Sequence, residues 1–162
     1  MIGSEVGKKA EKKIKEWLDH PEFGWDFNRI PDQLTGYYGS SNICDFDFYK
    51  FPYRYYIESK ATYNDRFDFS MITDIQLNGL SAKNQIKGVR GLVIVLFAEY
   101  KRAFIFCASD IKRCISENIT KSLNIKKIAK WPIKYAEIET VPSRKQLLDY
   151  TGDIEEYTKL LD

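Results

Sequence analysis

Residues 43–61 read ICDFDFYKFPYRYYIESKA, and this stretch decides the fold. It holds two runs of β-branched and aromatic residues, Ile43–Tyr49 and Tyr53–Ala61, and the intervening Lys50-Phe51-Pro52 has turn chemistry. Runs of this composition on both sides of a short turn are typical of a β-hairpin. We therefore predict two antiparallel strands here.

Apolar periodicity predicts the elements around the hairpin. Apolar residues recur at helical spacing over about Glu5–Leu18, and again after Thr73, a candidate N-cap for a helix that ends near Gly88. The continuous apolar run Gly91–Ala98 is typical of a strand covered on both faces, so we place it at the centre of the sheet.

The rest of the chain continues to alternate between strands and helices. We predict short strands around Trp25–Ile30, Ala103–Cys107 and Ile133–Ile138, a helix from Ser109 to about Ile119, and a C-terminal helix from about Ser143, either continuous or broken at Gly152. This order predicts an α/β fold with a mixed β-sheet flanked by helices. Since 162 residues with 44% hydrophobic content can bury one core, residues 1–162 are predicted to form a single domain.

Composition excludes several classes of protein. No stretch approaches the roughly 20 apolar residues of a membrane span, and the lysine-rich start has no apolar segment behind it, so we expect a cytoplasmic protein without membrane contact. Three cysteines without C-x-x-C spacing and a single histidine argue against a disulfide framework or a zinc site.

The net charge of +2 is too small to indicate a nucleic-acid partner, but the lysines are unevenly distributed. They form two clusters, Lys8, Lys9, Lys12, Lys13 and Lys15 near the start, and Lys121, Lys126, Lys127 and Lys130 later in the chain. Either cluster alone is more simply interpreted as a solvated helix face. Together they make two positive patches plausible.

The hairpin predicts a cluster of acids. Because strand side chains alternate between two faces, Glu58 and Lys60 share a face, and Asp45 and Asp47 share one on the preceding strand. Pairing of the two strands can bring these faces together. Mg²⁺ prefers oxygen ligands, so Asp45, Glu58 and the Ser59 carbonyl are candidate ligands, with Mn²⁺ as a possible substitute.

Hydrolysis of a phosphodiester fits this predicted cluster. The reaction needs an activated water and neutralisation of charge on the phosphate oxygens, and a metal serves both needs. Lys60 adds a cation that positions and polarises the nucleophile. Its expected role is electrostatic, with a general-base role as the alternative.

The Glu-x-Lys pattern is weak by itself, because it occurs three times in this chain. Glu11-Lys12-Lys13 lies in the first predicted helix, and Glu99-Tyr100-Lys101 lies at a turn between two apolar strands. Only the copy at Glu58 has acids on a pairing strand. Pro31-Asp32 lies in a loop rather than on a strand, so we interpret it as unrelated to the site.

The order of these motifs resembles the PD-(D/E)XK nucleases, and within them the RecU-type Holliday-junction resolvases of bacteria and their phages. Four stretches carry the resemblance: Gly7–Glu11; Ser41–Asp45 with Tyr56–Thr62; Gln76; and Gly91–Ala98 with Arg102–Phe106. It spans about residues 7–111, and the order and spacing of the short motifs carry it.

The resemblance implies a PD-(D/E)XK nuclease-like fold and an endodeoxyribonuclease that cuts two strands symmetrically as a homodimer. It implies the active-site set Glu11, Asp45, Glu58 and Lys60, with Gln76 as a supporting polar residue. RecU-type proteins carry a longer projecting insertion before the catalytic aspartate than the loop Arg29–Ser41 provides here.

Other interpretations remain open. The chain can be a nuclease of the same fold that cuts ordinary duplex DNA, or a catalytically silent DNA-binding module. Glu58 and Lys60 can be an exposed ion pair, Glu11 a first-turn helix acid, and Gln76 an ordinary exposed residue. Tyr37, Tyr38, Tyr53, Tyr55 and Tyr63 can stack on unpaired bases or belong to the core and surface.

Overall fold

Nine strands and four α-helices form the part of the chain that the computed structural model describes, residues 2–31, 42–145 and 147–162. The helices are α1 (Ile2–Leu18), α2 (Asp74–Lys83), α3 (Ala108–Ser116) and α4 (Ile154–Lys159). The strands are β1 (Asp26–Arg29), β2 (Phe46–Lys50), β3 (Tyr53–Thr62), β4 (Arg66–Asp68), β5 (Val89–Phe97), β6 (Arg102–Cys107), β7 (Ser122–Asn124), β8 (Ala136–Ser143) and β9 (Leu147–Thr151).

Seven strands make one mixed sheet in the order β1-β2-β3-β5-β6-β8-β9, and β4 pairs with β7 in a small second sheet. The β3–β5 pair is parallel, while the other neighbours are antiparallel. The crossover between β3 and β5 contains α2, as a parallel connection requires. The predicted mixed sheet flanked by helices is confirmed.

The core has two layers, one on each face of the sheet. Leu92, Ile94 and Leu96 of β5 face the layer that contains the buried side of α1, whereas Val93 and Val95 face the layer of α2 and α3. All five side chains are at least 97% buried. The prediction of a central strand covered on both faces is confirmed, and it explains why the run shows no polar alternation.

The first two helices agree with the pattern of the sequence, with different ends. α1 begins at Ile2, ahead of the predicted Glu5. α2 begins after Thr73, which forms a capping box with Gln76, as Ser/Thr and Gln three residues apart allow. α2 ends at Lys83 rather than near Gly88, and turns lead the chain from there into β5.

The predicted C-terminal helix from Ser143 is wrong. The segment forms the end of β8 and the edge strand β9, and only the short helix α4 follows. Leu148 and Tyr150 are buried at a spacing of two residues, which is the period of a strand. Gly152, at φ 88°, then bends the chain before Asp153 caps α4.

α3 also differs from its prediction at both ends. Its N-cap is Cys107, without a side-chain cap bond, instead of Ser109. It ends at Ser116 instead of Ile119, because Asn118 adopts a left-handed conformation with φ 55°. The strand expected from Ile133 begins at Ala136.

Several expectations fall on residues 32–41, which lie outside the described residues: the length of the loop before Ser41, the interpretation of Asp32, and stacking by Tyr37 and Tyr38. Among the described residues, no helix is long and apolar enough to cross a membrane. Cys44, Cys107 and Cys114 are free thiols.

Candidate active site

The hairpin of β2 and β3 places Asp45 beside Glu58. The strand predicted over Ile43–Tyr49 begins only at Phe46, which pairs with Ile57, so Asp45 lies just ahead of β2. The Asp45 amide donates to the Ile57 carbonyl at 3.0 Å, and the Ser59 amide donates to Asp45 Oδ2 at 2.9 Å. The carboxylate of Asp45 therefore lies at the edge of β3, just before β2 begins.

Glu58 is the buried centre of this group. One of its oxygens, Oε2, lies 3.1 Å from Lys60 Nζ and accepts a hydrogen bond from Gln76 Nε2 at 3.1 Å. The other oxygen, Oε1, is buried and has no hydrogen-bond partner among the described residues. A buried carboxylate oxygen without a donor is costly, so it points to a cation that the protein itself does not supply.

The electrostatics of Glu58 agree with this geometry. Burial, and then repulsion from Asp45, raise the pKa of Glu58 to about 8, although attraction to Lys60 opposes the rise. Burial also raises the pKa of the neighbouring Cys44 thiol to about 12, which leaves it a neutral packing residue. Without a bound cation, a pKa of about 8 leaves the Glu58 carboxyl mostly protonated at neutral pH, so a divalent ion bound there would displace that proton.

Burial decides between two interpretations of Glu58 and Lys60. Their side chains are only 4% and 17% exposed. The alternative of an exposed surface ion pair is therefore wrong. The pair lies on the α2 face of β3, while its neighbours Ile57 and Ala61 pack in the α1 layer, as strand alternation predicted.

The packing of α2 against β5 places Gln76 beside Glu58. Asn84, just past the end of α2, accepts from the Gly91 amide at 2.8 Å and donates to the Gly91 carbonyl at 3.2 Å. A β-carbon at Gly91 would overlap the backbone of Leu80, so glycine permits this close approach. The capping box at Thr73 fixes the other end, one turn from the site.

Glu11 reaches the region through another residue, Arg29. Its carboxylate pairs with the Arg29 guanidinium at 3.1 Å. Arg29 ends β1, and the amide of the next residue, Ile30, donates to the Asp45 carbonyl at 2.7 Å. Glu11 is thus joined to the Asp45 backbone through β1, on the α1 side of the sheet.

Arg29 was not recognised as a candidate from the sequence. It is one arginine in a loop-like segment. Its position near Asp45 depends on the pairing of β1 with β2, which residue types alone do not reveal. A weak signal was available, because Arg29 falls at the end of the short strand predicted around Trp25–Ile30.

The lysines of α1 divide into two groups. Lys8, Lys12 and Lys15 are exposed and, with Glu11 and Arg29, line a groove of about 260 Å³. Lys13 instead is 6% exposed, and its ammonium donates to the Leu148 carbonyl of β9 at 3.4 Å. The prediction treated Lys12 and Lys13 as equivalent, and the helical turn separates them.

The other candidates have simpler surroundings. Asp47 pairs with Arg54 at 2.6 Å, so it is held by its own strand neighbour. Tyr55 is fully buried, which excludes it as a platform for bases, and Tyr53 packs under Arg90 with 4.9 Å between the guanidinium and the ring.

Asp45 and Glu58 provide enough carboxylates for Mg²⁺ but do not form a larger cluster of metal ligands. The described part of the chain holds no group of three or more His, Cys, Asp or Glu side chains able to bind a metal. Mg²⁺ is, however, usually held by one or two carboxylates, with waters and substrate phosphates completing the shell. Asp45 and Glu58, with the orphaned Oε1 of Glu58, fit that smaller demand.

Comparisons with known proteins place the chain in a family. No match was found among curated proteins. Among solved structures, Hjc, a Holliday junction resolvase from the archaeal hyperthermophile Archaeoglobus fulgidus, is similar with a TM-score of 0.49 and 14% identity, covering 74% of this chain and 89% of that one. Residues 32–156 match the sequence model of the family described as Recombination protein U. The chain therefore belongs to the RecU family of Holliday junction resolvases, which are endodeoxyribonucleases, as its motifs predicted.

Proposed function

We propose that this chain is a divalent-metal-dependent endonuclease that resolves Holliday junctions as a homodimer by symmetric hydrolysis of phosphodiesters. The observation that carries the proposal is the buried Glu58 carboxylate. One of its oxygens contacts Lys60 and Gln76, and the other has no hydrogen-bond partner among the described residues. Such a group suits a cation that arrives with the substrate.

Asp45, Glu58 and the Ser59 carbonyl are the proposed ligands of Mg²⁺, for which Mn²⁺ can substitute. The N–H and C=O of one residue face the same neighbouring strand. Since the Ser59 amide donates to Asp45, the Ser59 carbonyl faces the same open edge. A bound divalent ion supplies Lewis-acid activation of water and neutralises charge on the phosphate.

Lys60 and Gln76 are the proposed partners of the metal ligands. Lys60 brings a cation to the buried edge of the site, where it stabilises negative charge on the phosphate oxygens more strongly than it would in water. Gln76 holds Glu58 Oε2 by a hydrogen bond, which leaves Oε1 directed away from α2.

Glu11 and Arg29 are proposed to orient the DNA at the α1 side. Their ion pair lies in the groove that Lys8, Lys12 and Lys15 also line. Exposed cations beside a cleavage site attract the phosphate backbone. The groove therefore offers a path for a DNA strand toward Asp45.

A homodimer follows from the geometry of the substrate. A Holliday junction must be cut in two strands related by a two-fold axis, and the proposed site holds one set of catalytic groups per chain. A C2 dimer presents two such sites with the symmetry of the junction. The protein would meet this DNA in the cytoplasm of a bacterial cell, or of the host if a phage encodes it.

Cleavage of defined DNA substrates tests the proposal. Purified protein is incubated with a synthetic four-way junction, a flap and a linear duplex, each with Mg²⁺, Mn²⁺ or EDTA. We expect paired, symmetric nicks in the junction only when the metal is present. Absence of cleavage with either metal would favour the alternative of a silent DNA-binding module.

Two further outcomes separate the remaining parts of the proposal. Equal cutting of the linear duplex would reject the resolvase and keep the nuclease. Sedimentation of the protein with and without junction measures the oligomer, and a single chain per junction would reject the dimer. A rise in melting temperature with Mg²⁺ that Asp45→Asn abolishes supports the metal site independently of activity.

A further inference from the structure

A second polar groove lies between α2 and α3, away from the hairpin of Asp45 and Glu58. Its volume is about 360 Å³, within the range of about 300 to 1,000 Å³ of small-ligand sites. Its main polar lining comes from both helices: Asn78, Ser81 and Gln85 on one side, and Ser109, Lys112 and Arg113 on the other.

The chemistry of this groove is that of hydrogen-bond donors. It offers two cations, two amides and three hydroxyls, the third from Ser116, and no carboxylate of the described chain lines it. One acid, Glu117, contacts a residue of the lining. Its carboxylate lies 3.7 Å from the guanidinium of Arg113, one helical turn earlier, and both side chains are more than half exposed. Such an exposed pair is weak and readily exchanged for a stronger partner.

Ser81 adds an independent indication of a ligand. The residue is 93% buried, and its Oγ has no hydrogen-bond partner among the described residues. A hydroxyl that is buried without a partner costs about 1 to 3 kcal/mol. The hydroxyl lies just beneath the floor of the groove, so a small shift of its cover would let a ligand accept its hydrogen bond and recover that cost.

The lining excludes several ligand classes. A metal ion needs carboxylate, imidazole or thiolate ligands, and none lines the groove. A nucleobase is usually held by stacking on an aromatic ring, and no aromatic side chain lines it either. An oxyanion that accepts several hydrogen bonds matches the donors present.

We propose that the α2–α3 groove binds a phosphate group through Lys112, Arg113 and Ser81. That phosphate is distinct from the one at the cleavage site. Gln76 and Asn78 are two residues apart on α2, about 200° around the helix, so the residue that holds Glu58 and the groove lie on opposite sides of α2. If its source is the backbone of the DNA, which rests on the proposed function, the groove holds a flanking part of the substrate.

The groove is connected to the contacts that hold α2 against β5. Asn84 donates to Ser109 Oγ at 2.9 Å and also to the Gly91 carbonyl. Ser109 is the acceptor in this bond, and its hydroxyl also interacts with the Cys107 side chain. A phosphate in the groove would bridge the two helices that cover the α2 face of the sheet.

Inorganic phosphate is the first probe, measured by calorimetry and by melting temperature at constant ionic strength in metal-free buffer. The test variant is Lys112→Gln with Arg113→Gln, and both side chains are exposed, so neither substitution disturbs the core. The matched control is Arg144→Gln with Lys145→Gln, which removes the same two charges from the exposed turn between β8 and β9. We expect phosphate binding to weaken about tenfold in the test variant and to persist in the control.

Ser81→Ala gives a readout that a purely structural role would not produce. Removing an unpartnered hydroxyl leaves the free protein as stable as before or more stable, while phosphate binding weakens. Loss of stability in the phosphate-free variant would mean that the hydroxyl has an internal partner, and would overturn the assignment.

Junction binding as a function of salt identifies the source of the phosphate. If it is DNA, the test variant lowers the slope of log K against log salt by about 1 to 2, and the control leaves it unchanged. If only the inorganic phosphate response changes, the ligand is a free phosphate compound. Equal behaviour of the test variant, control and wild type with both probes overturns the proposal. Cleavage by the wild type is scored separately, so failure of the nuclease function and failure of this site are distinguishable.

Discussion

The same tripeptide pattern lies in two different environments of the fold, as Glu58-Ser59-Lys60 and as Glu99-Tyr100-Lys101. Glu58 lies in the middle of β3, is 3% exposed, and contacts Lys60 and Gln76. Glu99 lies in a 3-10 turn between β5 and β6, where both it and Lys101 are exposed. Burial and neighbouring polar groups therefore make the Glu58–Lys60 pair suited to catalysis, because electrostatic interactions strengthen when water is excluded.

The neighbours that separate the copies come from elsewhere in the chain. Asp45 arrives through the pairing of β2 with β3, and Gln76 arrives through the packing of α2 on β5. At Glu99, no carboxylate or amide among the described residues contacts the side chain in that way, and the turn is open to solvent. Variants at the two copies should therefore differ sharply.

The largest expected effect is on cleavage by Asp45→Asn. The variant removes a proposed metal ligand but keeps an oxygen to accept from the Ser59 amide, so we expect cleavage to fall by about 10³-fold and junction binding to persist. Asp47→Asn is the matched control on the same strand face, and its activity should remain near wild type. Parallel loss of binding and cleavage in Asp45→Asn would argue that Asp45 is structural.

The next largest effect is expected from neutralising Lys60, with Lys101 of the second copy as the comparison. Lys60→Gln should lower the cleavage rate about a hundredfold, because a cation beside the phosphate is lost at a buried site. Lys101→Gln should leave the rate unchanged, since Lys101 is exposed in its turn. Single-turnover rates on a junction at saturating Mg²⁺ measure both, and equal rates for the two variants would remove the distinction between the copies.

The stability of the metal-free protein should respond to substitution of Glu58 and not to substitution of Glu99. The pKa of Glu58 is raised from 4.5 to about 8 in the folded state, so between these values the folded protein binds more protons than the unfolded chain. Stability from this group is therefore full below about pH 4.5 and falls as pH rises toward 8. Glu58→Gln should remove that fall and raise the free energy of unfolding at pH 8 by about 1 to 3 kcal/mol.

Urea denaturation in EDTA at pH 5 and pH 8 measures this difference. Glu99→Gln should follow the wild type at both pH values, because its carboxylate is exposed. EDTA is essential, since a cation bound only by the folded wild type would reverse the order. A Glu58→Gln protein less stable than wild type at pH 8 would contradict the burial of an uncompensated charge.

The smallest expected effect concerns the third copy, Glu11-Lys12-Lys13. Lys12 is exposed beside the groove, so Lys12→Gln should weaken junction binding a few-fold and lower its salt slope by about 1. Lys13 is buried against Leu148, and burial lowers its pKa, so Lys13→Gln should alter stability and leave the slope unchanged. Filter binding from low to high salt separates the two, and equal slopes would exclude α1 from the DNA surface.

Local patterns predicted much of this molecule. The hairpin, the central strand Gly91–Ala98 and the cap at Thr73 each follow from the period of apolar residues or from capping chemistry. The family resemblance also held, because the short motifs keep their order along the chain. The segment after Ser143 was misjudged, since a short apolar run fits a strand or a helix until its pairing partner is known.

By itself, the sequence predicted the residues that are proposed to carry the chemistry and the strand that holds Glu58 and Lys60, because alternation along a strand and the order of motifs are properties of the chain alone. Only the tertiary structure decided what surrounds them. The burial of Glu58, its unpartnered oxygen, the approach of Gln76, the link from Glu11 through Arg29, and the separation of Lys12 from Lys13 all depend on contacts between residues far apart in sequence. Such contacts set the local dielectric and the hydrogen-bond partners of a group, and these have no signature in residue spacing.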